Sequence, residues 1–101
     1  MYIHFIAFIH SAHETHPGEV MTKTYSSSIR PVQGDIISDN GFHPKFHNGY
    51  EVVKVTLDYS TNECWVSLTP LMIELQDIPI EEYLQHMKKH GWLPADHHVM
   101  D

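Results

Sequence analysis

Residues 50–69 leave this chain the least freedom. In Tyr50-Glu51-Val52-Val53-Lys54-Val55-Thr56-Leu57-Asp58-Tyr59, the residues Val53, Val55, Leu57 and Tyr59 alternate with Val52, Lys54, Thr56 and Asp58, the two-residue period of a β-strand. Ser60-Thr61-Asn62 are turn formers, and the alternation resumes with Cys64, Val66 and Leu68 on one face of residues 64–69. The pattern predicts a hairpin. A lone hairpin is marginal in water, so the rest of the chain must cover its apolar face.

Residues 2–10 carry the second dense strand signal, with Ile3, Phe5, Ala7 and Ile9 on one face and Tyr2, His4, Ile6, Phe8 and His10 on the other. Both faces hold apolar residues, so this strand is expected at the centre of the sheet and covered on both sides. Pro17-Gly18 marks a turn before a more polar strand over residues 20–25, and Pro31-Val32-Gln33-Gly34 a turn before Asp35-Ile36-Ile37-Ser38. Residues 71–75 alternate again after Pro70 and are expected as an edge strand. One helix is predicted near the C-terminal end. Asp77 and Pro79 mark its start, Glu81 and Glu82 occupy its first turn, and Lys88, Lys89 and His90 its last, where the helix dipole favours each charge. Ile80, Tyr83, Leu84 and Met87 form its buried stripe, and Gly91 is placed for a left-handed C′ position with Trp92 folded back on Met87.

These elements predict an α+β fold in a single domain, residues 1–101. A small antiparallel, strongly curved sheet or partly open barrel of about five strands spans residues 1–76, one C-terminal helix spans 77–92, and a flexible tail follows at 93–101. Pro31-Val32-Gln33-Gly34-Asp35-Ile36-Ile37 reads as a Pro-x-x-Gly-Asp-x-Ile entry into a strand, followed by Tyr50-Glu51-Val52-Val53-Lys54-Val55 and Cys64-Trp65-Val66-Ser67-Leu68. Through these residues, 30–70 resembles small SH3-like barrels of phage and bacterial proteins. The resemblance implies a binding or assembly module and no shared catalytic residue. The histidine-rich loops and the terminal helix depart from that pattern.

Charge and composition narrow the function classes. Thirteen acidic residues against six basic ones give a net charge of −7, which repels phosphate backbones, so direct nucleic-acid binding is not expected. No apolar run approaches the roughly 20 residues of a membrane span, and no Lys or Arg precedes Lys23 to start a secretory signal. Cys64 is the only cysteine, which excludes an intramolecular disulfide and fits a reducing compartment. A cytoplasmic protein is expected.

Histidine is over-used, with ten residues against six of Lys and Arg, and protonating all ten would reverse the sign of the formal charge. His10, His13 and His16, with Glu14 among them, are the candidate metal ligands. Three neutral imidazoles and a water suit a divalent transition metal, zinc if the site is tetrahedral. A strand would send residues three apart to opposite faces, so the site requires residues 11–16 to turn; otherwise the run is a polar loop. His86 and His90 stand at i, i+4 on the helix, as a chelating pair or as boundary residues. His43 and His47 bracket Pro44, and His97-His98 lie in the tail. Beyond such a metal, no cofactor is expected.

The chain has no nucleophile elbow, phosphate loop, His-Glu-x-x-His or Cys-x-x-Cys. Cys64 beside Trp65 reads as a buried small hydrophobe, and Asp35 as a turn residue. Phe42 and Phe46 in the breaker-rich segment 39–49, with Tyr50 at its end, are the candidate protein-binding anchors; alternatively the segment folds down and its rings plug the barrel. The reading that results is a non-enzymatic protein-binding module, an acidic accessory or inhibitor protein of phage or mobile-element type that blocks a basic surface. Self-association through an open sheet edge is compatible with it. The alternative is a histidine-rich metal-binding protein or a small metal-dependent hydrolase.

Overall fold

A computed structural model describes residues 1–44 and 49–95 of the chain. The elements run β1 (Tyr2–Ser11), β2 (Glu19–Ser26), β3 (Ile36–Ile37), β4 (Tyr50–Asp58), β5 (Glu63–Leu68), β6 (Leu71–Ile73), α1 (Ile80–Lys89) and β7 (Leu93–Pro94). The predicted hairpin is β4 and β5, antiparallel from Lys54↔Ser67 to Asp58↔Glu63. Its turn is closed by the Asp58 carboxylate, which accepts the Ser60 N–H at 3.0 Å, and by Asn62 at φ 59°, a left-handed position that Asn tolerates.

β1 holds the centre. β2 pairs with it antiparallel from Tyr2↔Ser26 to Ile9↔Glu19. On its other side two strands run parallel to it in succession: β5 from Tyr2↔Glu63 to Ile6↔Ser67, then β6 from Ile9↔Leu71 to Ser11↔Ile73. Thr69-Pro70 separates β5 from β6, because Pro70 has no N–H to give a ladder and Thr69 bonds sideways, its N–H reaching the Glu51 carbonyl at 2.8 Å. The order across the sheet is β3-β4-β5-β1-β2-β7, with β6 beside β1. The result is a strongly curled open sheet, a half-barrel of six to seven strands with one helix.

The sheet and the C-terminal tail differ from expectation. The sheet is mixed, not purely antiparallel, and has more than five strands, because alternation identifies strands without reporting partner or direction. Residues 71–75, expected at an edge, contribute β6, whose one strand neighbour among the described residues is β1. Leu93 and Pro94, expected in a flexible tail, form β7 opposite Thr22 and Met21 of β2.

The core lies on one face of the sheet. Ile3, Phe5, Ala7 and Ile9 of β1, Cys64, Val66 and Leu68 of β5, and Leu71 and Ile73 of β6 are buried together with Ile80, Tyr83, Leu84 and Met87, the predicted stripe of α1. Pro79 at the helix start offers no side-chain cap; instead Glu14, from the loop between β1 and β2, accepts the Ile80 N–H at 2.6 Å. A carboxylate at that end satisfies an orphan donor and the helix dipole together. At the other end Gly91 takes φ 95°, and the Gly91 and Trp92 N–H groups reach the Lys88 and Met87 carbonyls at 3.4 and 3.1 Å, the Schellman pattern.

The opposite face of β1 is partly exposed. Tyr2 is 55% and Phe8 36% exposed, and among the described residues no element lies over them. Among the described residues, packed elements therefore cover the central strand on one side, not on both. No helix among the described residues is long and apolar enough to cross a membrane.

Candidate functional site

Side chains alternate along a strand, so the pairings of β1 determine what its open face carries. His4 stands between Thr24 of β2 and Trp65 of β5, Tyr2 between Ser26 and Glu63, and Ile6 between Thr22 and Ser67. The face continues through Lys54, Thr56 and Asp58 of β4. At its centre a shallow pocket of about 390 Å³ is lined by His4, Ile6, Thr22, Thr24, Glu63 and Trp65, together with Ala95.

The polar groups of this pocket are held in place by one another. His4 Nε2–H donates to Glu63 Oε2 at 2.6 Å, and Nδ1 accepts the Thr24 hydroxyl at 2.7 Å. The bond from His4, with a second from Thr61, holds the Glu63 carboxyl below its ordinary range, so the pocket presents a carboxylate. The Trp65 ring lies 5.5 Å from the His4 ring at a tilt of 31°, and Phe8 stacks on His10 at 5.3 Å. An oriented imidazole, a carboxylate, two threonine hydroxyls and an accessible indole thus share one rigid surface. Nothing in the sequence points to it: His4 stands there only as an interruption of an apolar run, and Glu63 and Trp65 reach it through the parallel pairing of β1 with β5.

The aromatic anchors expected in segment 39–49 are placed differently. Phe42 is buried, edge-on to Tyr50 at 4.7 Å and tilted against Trp92 at 5.8 Å. Tyr50 is half-buried with its hydroxyl 3.2 Å from that of Tyr83, and burial pushes its pKa upward. Of the two sequence readings, the inward one describes Phe42 and Tyr50. Phe46 lies outside the described residues.

The physical reason is Asp39. Its carboxylate accepts the Trp92 indole N–H and the Gly41 N–H, each at 2.8 Å, and the Tyr25 hydroxyl, with Lys23 Nζ at 3.2 Å. This hub draws the segment onto the helix terminus and β2. Gly41 is required beside it, since a Cβ there would come within 2.4 Å of the Trp92 ring.

The histidines expected as metal ligands each have a different partner. His10 stacks on Phe8, His13 Nε2–H donates to the Glu74 carbonyl, and His16 Nδ1 accepts the Gly18 N–H at 2.9 Å, with Nε2 3.9 Å from Glu81. Glu14, the acid of that run, caps α1. Residues 11–16 turn as a metal site would need, but they turn to fasten the loop to the helix start. His86 and His90 have rings 4.5 Å apart, and His43 is 5.4 Å from His86. Their N–H groups go elsewhere: His86 to the Asn40 carbonyl at 3.1 Å, His90 to the His86 carbonyl at 2.8 Å, and His43 to Glu82 at 2.8 Å. Desolvation lowers the His86 pKa. His47, His97 and His98 lie outside the described residues. Among the described residues, no group of three or more His, Cys, Asp or Glu is placed to hold a metal ion.

No protein-family model, curated protein or solved structure matches this chain.

Proposed function

We propose that this protein is a non-enzymatic protein-binding module whose partner docks on the open sheet face around His4 and Trp65. The observation that carries the reading is the face of the central strand left open among the described residues, where Tyr2 and Phe8 are exposed and Trp65 lines a pocket with His4, Glu63, Thr22 and Thr24. Interface cores favour aromatic anchors inside a polar rim, and a pocket of about 390 Å³ accepts a partner side chain. A net charge of −7 steers such a face toward a basic partner, as suits an acidic accessory or inhibitory factor that occupies a basic surface.

The test is site-specific photo-crosslinking in a lysate of the native host. A crosslinker at Tyr2, on the face, should capture one discrete protein, and capture should disappear with Trp65→Ala. A crosslinker at Tyr59, 80% exposed beyond the end of β4, should not capture it. Equal capture from both positions, or capture that ignores Trp65→Ala, would count against the reading.

A further inference from the structure

The free edge of β4 carries a self-complementary row of residues, and we propose that two copies of this chain pair antiparallel along it. β3 shields only the start of β4, through Ile37↔Tyr50 and Ile36↔Glu51, and the Gly34 and Asp35 backbone extends this to Val52. A register shift between Val52 and Lys54 follows. From Lys54 to Asp58 no strand lies on that side of β4 among the described residues. These five residues pair regularly with β5 on their other side, so the edge is well formed where it is bare. A row of unpaired N–H and C=O groups is a template for another strand, and residues 54–58 hold no Pro or Gly to spoil it.

The row is symmetric about Thr56. In a two-fold antiparallel pairing centred there, Lys54 lies opposite Asp58 of the second copy, Asp58 opposite its Lys54, Val55 opposite its Leu57, and Thr56 opposite itself. Opposite charges, two apolar residues and a threonine pair are each favoured cross-strand neighbours, and the two-fold axis satisfies all of them with one patch.

A second observation points the same way. Within one chain Asp58 stands directly across from Glu63 on the open face, and its negative charge opposes ionisation of Glu63. Like charges in that position are unfavourable. Lys54 is exposed on the same face opposite Ser67, and among the described residues it has no ion pair. One copy therefore holds two facing carboxylates, of which Glu63 has the His4 imidazole and Asp58 has no ion pair among the described residues, and a cation lacking a carboxylate, and pairing brings Lys54 to Asp58. It also joins the open faces of both copies, since Thr56 lies beside Trp65. This goes beyond the proposed docking face, and either can hold without the other.

The test is sedimentation equilibrium from micromolar to millimolar protein, at physiological salt so that the repulsion between two acidic chains is screened. The weight-average mass of the wild type should climb from 11.7 kDa toward twice that value. Lys54→Glu alone and Asp58→Lys alone should each remain monomeric. An equimolar mixture of the two should dimerise again, because each reversed charge meets its complement in the other variant. Asp58 also bonds Ser60 in the hairpin turn, so thermal melts by circular dichroism must accompany Asp58→Lys; Lys54→Glu makes no such contact and tests the register by itself. A wild type that stays at 11.7 kDa throughout, a dimer that survives Lys54→Glu, or a mixture of two folded variants that stays monomeric overturns the proposal.

Discussion

Asp39→Ala tests how segment 39–44 is held, because one carboxylate takes four donors. Two of them, the Trp92 indole N–H and the Gly41 N–H, are buried, Trp92 being only 1% exposed. Each stays in place without an acceptor when the carboxylate is removed, at a cost of about 1–3 kcal/mol apiece. Lys23 keeps the Asn40 side-chain oxygen at 3.1 Å and sits at a partly solvated edge, so losing its pair adds under about 1 kcal/mol. The expected loss is about 3–5 kcal/mol, a large share of the roughly 5–15 kcal/mol that stabilises a domain. Urea unfolding followed by tryptophan fluorescence reads it as a lower midpoint at unchanged slope. Asp39→Asn, which retains one acceptor oxygen, should lose about half as much. The pH dependence has a definite sign. Burial pushes the Asp39 carboxyl upward, but the bonds from Tyr25, Trp92, Gly41 and Lys23 outweigh it and hold the pKa below 3.8. Stabilisation from the ionised form is therefore present above 3.8 and lost as pH falls through the lower folded value. The wild type should lose more stability over that acid range than Asp39→Asn. A loss below about 1 kcal/mol for Asp39→Ala would refute the hub as the anchor of this segment.

Gly41→Ala should destabilise by about 1–3 kcal/mol, since its Cβ would stand 2.4 Å from a buried Trp92 ring that cannot swing away; a shifted tryptophan emission maximum in the folded variant would report the displaced ring. Glu14→Ala removes the cap on the Ile80 N–H and should cost about 1 kcal/mol in urea unfolding, whereas a variant equal in stability to the wild type would deny Glu14 that role. Desolvation holds His86 below 6.5, so the unfolded chain takes up the proton first, and the stabilisation present above 6.5 is lost as pH falls through the folded value. The urea midpoint should therefore fall more steeply in the wild type than in His86→Gln between about pH 7.5 and about pH 5.5, and parallel slopes would contradict it.

What the sequence makes legible is what short-range physics controls. The β4–β5 hairpin, the helix with its four buried residues and the Gly91 terminus follow from alternation, i, i+3, i+4 spacing and the φ freedom of one glycine. Partner and direction of the strands are not local properties. The parallel pairing of β1 with β5 and β6 therefore escapes the pattern, and with it the meeting of His4, Glu63 and Trp65 across 59 positions. The same limit explains Glu14 and Asp39. Each is an ordinary loop carboxylate in the sequence and an acceptor for distant donors in the fold. The histidine run at 10–16 attracts a metal reading because spacing is visible in a sequence and competing acceptors are not; here the Glu74 carbonyl, the Gly18 N–H and the Phe8 ring take its rings. The apolar character of Tyr2, Ile6 and Phe8 argues for a covered face, and that this face stands open among the described residues is the reason to assign binding to it.

The most direct test of that assignment is a side-chain NMR footprint of the protein in complex with the captured partner. The account predicts the largest shifts at the Trp65 indole N–H, the Ile6 methyls and the rings of Tyr2 and His4, with the Trp92 indole N–H unchanged on Asp39. A footprint centred on residues 39–44 and the end of α1, with the Trp65 signal unmoved, would contradict it.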